Sequence, residues 1–257
     1  MTHELYLSLY EACDIPVIFA KIIGFRIENV MGDSLHTVEL GIGCHILGNI
    51  FWECIAMHAF GESNIEKNTK VLDARMTKWQ KDKKVKNKYR GKLTEAKVRA
   101  PGKWPKLASQ AAPVRCLARF ALELAEEYLD VDRQIVARQL VRFYEILDEN
   151  GLFLTDAAKK EIEHVGSKLC RTFAKLSTIS VARGIKAWKC TPKLHLFLHM
   201  CEWDIELGNP RFYWTYADED MVGQMIKAGE SCHPRTMAVA GMFKWLTVVF
   251  EENAECT

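Results

Sequence analysis

The sequence predicts a mainly α-helical protein with a small β component. Three observations carry this expectation. Between residues 109 and 180, apolar side chains recur at helical spacing in three successive segments. Hydrophobic residues make up 49% of the 257-residue chain, which is enough to fill a core and excludes a disordered protein. Only two short stretches read as strands: 26–32, anchored by Ile27 and Val30, and the aromatic run Phe212-Tyr213-Trp214-Thr215-Tyr216.

In chain order, residues 3–12 have helical spacing and stop near Asp14-Ile15-Pro16. After the first strand candidate, 40–60 forms a long apolar helix with Leu40, Cys44, Leu47, Phe51, Cys54 and Ile55 near one face. Ser63 or Asn64 caps the next helical pattern, 64–99, which is strongly basic and interrupted by Gly91. Ala100-Pro101-Gly102-Lys103-Trp104-Pro105 is a loop. Helices follow over 109–129, 132–150 and 155–180, with Asp132 and Thr155 as N-terminal signals and Asn150-Gly151 as a stop. The stripes Leu117, Phe120, Ala121, Leu124 and Ile135, Leu140, Phe143, Tyr144, Leu147 predict helices packed on helices. Helical patterns also cover 193–203, 218–229 and 236–250.

Charge is unevenly placed. The net charge is +2, yet residues 67–106 hold 15 Lys+Arg against 3 Asp+Glu, a local +12 that leaves −10 on the rest. Lys78, Lys81, Lys83, Lys84, Lys86, Lys88 and Arg90 are candidate phosphate contacts. Trp79, Tyr89 and Trp104 lie among the cations, where rings could stack on unpaired bases. The plainer reading is a solvated, partly disordered connector. No Gly-rich phosphate loop and no GxSxG elbow is present. The nine cysteines form no CxxC pair, which predicts free thiols in a reducing, intracellular compartment, and no secretory leader is expected. The 40–60 stretch is long enough to span a bilayer, but Glu53, His45, His58 and Asn49 predict a core helix and no membrane span.

Three clusters are candidate sites. Asp33-Ser34-Leu35-His36 is a carboxylate–imidazole pair at a helix start, and Asp33 as a helix cap is the plainer reading. Asp218-Glu219-Asp220 opens a late helix, where acids also suit the helix dipole. Cys190, His195, His199 and Cys201 include two histidines on one helical face with ligand spacing, against the plainer reading of core residues.

The stretch VMGDSLHTVELGIGCHILGNIFWE, from Val30 to Glu53, resembles the D-x-[LM]-H-x-x-x-x-G-x-x-x-x-x-L-G segment of transposase-like proteins of the DDE group, including CACTA-type and related transposon-derived families. KLHLFLHM (Lys193–Met200) and GNPRFYWTYADEDMVG (Gly208–Gly223) resemble their late motif. The resemblance implies a partial RNase H-like α/β core from 1–60 and 191–257, interrupted by a helical insertion over 61–190. It implies Asp33 as the middle acid, Glu219 or Asp220 as the last, His36 as a motif histidine, Mg2+ or Mn2+ as cofactor, and a nuclear location. The group also needs an earlier aspartate on a strand. The acids before Asp33 are Glu4, Glu11, Asp14 and Glu28, and none lies in an opening strand. The expectation is therefore a non-catalytic, transposon-derived protein that binds nucleic acid or a protein partner through its basic segment. A metal-dependent DNA nuclease using Asp33 with Glu219 or Asp220, and a structural subunit of a larger assembly, are the alternatives.

Overall fold

The computed structural model describes Glu4 and residues 31–254 except 231 and 234; the side chains of 217–220, 238 and 248–254 lie outside that description. Among the described residues there is no β-strand. The expected RNase H-like α/β core is thus corrected to an all-helical fold. The aromatic run 212–216 fails as a strand for a local reason. Pro210 opens a single 3-10 turn, Pro210–Phe212, and the Asn209 side chain locks it. Asn209 accepts the Arg211 N–H and donates to the carbonyls of Leu147, Asn150 and Gly151. Tyr213 donates its hydroxyl to the carbonyls of Asp204 and Gly208, so its ring anchors a turn instead of alternating across a sheet. Of the other strand candidate, 26–30 lies outside the described residues, and Met31 and Gly32 are irregular.

A π-helical segment, Leu35–Gly43, runs directly into α1, Cys44–Ala56. Together they are long and apolar enough to cross a membrane, and 78% of the apolar 18-residue window within them is buried inside the protein. Its apolar surface is taken up by α2 (Ile65–Asp82), α4 (Ala111–Tyr128) and α5 (Val131–Glu149). Between α2 and α4 lies only one short turn of helix, α3, Glu95–Val98. Next, α6 (Asp156–Ala182) packs along α5 and receives α7 (Pro192–His199). A π turn, Met200–Asp204, and the short α8, Ile205–Leu207, finish this unit. Edge-to-face pairs tie the layers: Phe51 with Phe120, Phe143 with Phe197, Phe173 with Trp188. The predicted stripes face inward, with Leu117, Phe120, Ala121, Leu124, Leu140, Phe143, Tyr144 and Leu147 buried and Ile135 half-buried.

Helix starts follow cap chemistry. Asn64 accepts from the Lys67 N–H, Asp130 from Arg133 and Thr155 from Ala158. Asp130 caps α5 in place of the expected Asp132, which sits in the first turn and pairs with Lys175 at 2.7 Å.

The chain divides into two compact units, 1–213 and 214–257. The second is a pair of helices, α9 (Tyr216–Glu230) and α10 (Met237–Ala254), packed on each other. They cross closely at glycine: a Cβ on Gly241 would stand 3.2 Å from the Gly229 Cα.

Candidate nucleic-acid interface

The basic segment starts as an amphipathic helix. α2 buries Asn68, Thr69, Leu72, Met76 and Gln80 and exposes Lys67, Lys70, Lys78 and Lys81. It ends at Asp82, and Lys84 adopts a left-handed φ of 50°. The N–H groups of Lys83, Lys84 and Val85 then donate to the carbonyls of Trp79, Lys81 and Gln80, closing the helix end. Glycine is the default in that left-handed position, and a lysine there costs on the order of 1 kcal/mol.

The loop that follows is held from below. Gln80 is buried, and its side-chain oxygen accepts the Tyr89 N–H at 2.6 Å. Asp73 accepts the Leu93 N–H at 2.8 Å. Tyr89 and Leu93 are themselves buried, and the Tyr89 hydroxyl reaches the Ala108 carbonyl at 3.3 Å. The far end returns to the core where Leu107 N–H donates to the Cys44 carbonyl at 2.9 Å. Gly48 permits that approach: a Cβ there would lie 2.6 Å from the backbone of residues 106 and 107. The segment is a helix followed by a loop whose backbone is bonded to that helix at two points. Gln80 and Asp73 were missed at the sequence level. Their signal was polar residues near the apolar stripe of an amphipathic helix, which need backbone partners once covered.

Lys78, Lys81, Lys83, Lys84, Lys86, Lys88 and Arg90 are all exposed, and none forms an ion pair with a described residue. By contrast Lys70 pairs with Glu66 and Arg75 with Glu127. The aromatics do not join this surface as expected. Trp79 packs on Phe120 with ring centroids 5.5 Å apart, Tyr89 is buried, and Trp104 is half-buried. Trp79 and Tyr89 therefore anchor the segment inward and leave the exposed surface to the cations.

Asp33 behaves as a helix cap. Its carboxylate accepts the N–H groups of Leu35 and His36, and its carbonyl accepts that of Thr37. The same carboxylate meets His36 Nδ1 at 2.5 Å. Glu39, one turn further, is buried, and burial pushes its carboxyl up to about 7. The side chains of Glu219 and Asp220 lie outside the described residues, so the acidic pairing with Asp33 carries no geometry. Among the described residues, no three His, Cys, Asp or Glu side chains gather as a metal site. His195 and His199 do meet, with Nε2 atoms 2.8 Å apart, and His195 is exposed, unlike a core residue. Cys201 is fully buried and Cys190 is exposed, so the two cysteines do not share one environment.

No protein-family model, characterised protein or solved structure matches the chain.

Proposed function

We propose that this protein binds nucleic acid through the phosphate backbone, using the end of α2 and the loop after it. The observation that carries the reading is the display of seven exposed cations between Lys78 and Arg90 with no acidic partner among the described residues. Such a surface attracts phosphate by counterion release and reads no bases. Because the two rings nearest the cations are engaged internally, a duplex suits it better than stacked single-stranded bases. The transposase resemblance adds DNA as the partner and a nuclear location, on the strength of the two stretches alone. The nuclease alternative draws no such support, since the Asp33 carboxylate already serves the backbone and His36.

Fluorescence anisotropy with a labelled duplex tests this. The wild-type chain should bind independently of sequence. Changing Lys81, Lys83, Lys84, Lys86 and Lys88 together to Gln should weaken binding by at least about 100-fold at low salt. Equal affinity of the two proteins would end the proposal.

A further inference from the structure

α7 presents His195 and His199 one helical turn apart on its outer side. Their Nε2 atoms lie 2.8 Å apart, with ring centroids at 4.2 Å and planes at 78°. The helix is fixed beneath them: Phe197 and Met200 are fully buried, and Lys193 Nζ donates to the His36 carbonyl at 2.7 Å. Trp203 then lies against the His199 ring at 4.3 Å, limiting its rotation.

Two imidazole nitrogens this close share either a proton or a cation. A divalent ion holds imidazole nitrogens at about 2.0–2.1 Å, so two of them on adjacent corners of a square or octahedron stand about 2.9 Å apart, whereas a tetrahedral ion spreads them to about 3.3 Å. The observed separation is short enough for one ion to bridge both nitrogens, and of the common divalent ions Ni2+ and Cu2+ stand high in affinity for imidazole nitrogen.

We propose that His195 and His199 form a two-nitrogen clamp for Cu2+ or Ni2+, each ring binding through Nε2 and keeping its proton on Nδ1. No third protein ligand joins them among the described residues, so water completes the coordination shell. Cys201, two residues beyond His199, is fully buried against Gly166 and stays out of the site. His199 Nδ1 is buried without an acceptor among the described residues. A ligating imidazole ordinarily donates that proton to an acceptor, and its absence costs about 10–100-fold in affinity. The clamp therefore binds reversibly.

The test is titration of the metal-stripped full chain with Ni2+ by calorimetry, and of the Cu2+ complex by electron paramagnetic resonance, for wild type, His195→Gln and His199→Gln. Expected are one equivalent of bound ion, a loss of at least about 10-fold in affinity in each variant, and a two-nitrogen splitting that is lost in both. Circular dichroism checks folding, and the exposed His195→Gln suffices if His199→Gln misfolds. Affinities within about two-fold of each other, or no binding to wild type, would mean that the pair shares only a proton.

Discussion

The side-chain oxygen of Gln80 accepts the backbone N–H of Tyr89 at 2.6 Å, closing the lysine-rich loop onto the helix that precedes it. With the Leu93 N–H bond to Asp73, it holds the row of charges against the helix. Gln80→Leu leaves the buried Tyr89 N–H unsatisfied and should cost about 1–3 kcal/mol. Gln80→Glu keeps an acceptor at the same place and should cost less. Urea unfolding measures the loss, and limited trypsin digestion should show faster cleavage between Lys83 and Arg90 in the Leu variant.

Lys84 offers a test in which stability and binding move in opposite directions. Its left-handed backbone is relieved by glycine, so Lys84→Gly should raise stability by about 0.5–1 kcal/mol. The same change removes one cation and should lower duplex affinity. Thermal unfolding and anisotropy on one preparation check both signs.

A second anchor lies at Glu53. It accepts from Trp188 Nε1 at 2.5 Å and from Arg133 Nε at 2.7 Å, while the Trp188 N–H donates to Asn49. Trp188 is fully buried with a left-handed φ of 55°, a strained conformation that these bonds hold in place. Glu53→Ala leaves the indole N–H without its acceptor and removes one of the two carboxylates on Arg133, whose other partner is Asp130 at 2.8 Å, and should cost about 1–3 kcal/mol in chemical unfolding.

The pH dependence should reflect buried Glu39 and half-buried His45, which act with opposite sign. Burial pushes Glu39 up from 4.5 to about 7, so the unfolded chain releases its proton first, and stability falls as pH rises through that window. Burial, then nearby Lys106, pushes His45 down from 6.5 to about 4, so stability is lost as pH falls through that window. Their slopes oppose between 4.5 and 6.5. Glu39→Gln should leave the His45 slope alone and stabilise the protein at pH 8 by up to about 3 kcal/mol. Unfolding curves from pH 4 to 8 on both proteins check this.

Much of the helical order was legible in the sequence because burial imposes a period. The stripes on α4 and α5 and the caps Asn64 and Thr155 follow from spacing and cap chemistry. The sheet was misread. An aromatic run suggests a strand, but Asn209 and Pro210 turn the chain just before it, and that depends on carbonyls presented by the distant end of α5. The helical pattern over 64–99 also stops early, at Asp82, because Gln80 and Asp73 offer the loop backbone partners that periodicity does not reveal. At the candidate interface the cations were visible by count, while the inward turn of Trp79 and Tyr89 required their tertiary neighbours.

The most direct test of the central claim is the salt dependence of duplex binding. If the pinned lysines contact phosphates, log affinity should fall linearly with log salt, with a slope near −0.9 per contact and a total of about −4 to −6. Replacing Lys81, Lys83, Lys84, Lys86 and Lys88 by Gln should flatten that slope to about −2 or shallower, the share left to Lys78 and Arg90. A wild-type slope near zero, or one unchanged in the variant, would contradict the account.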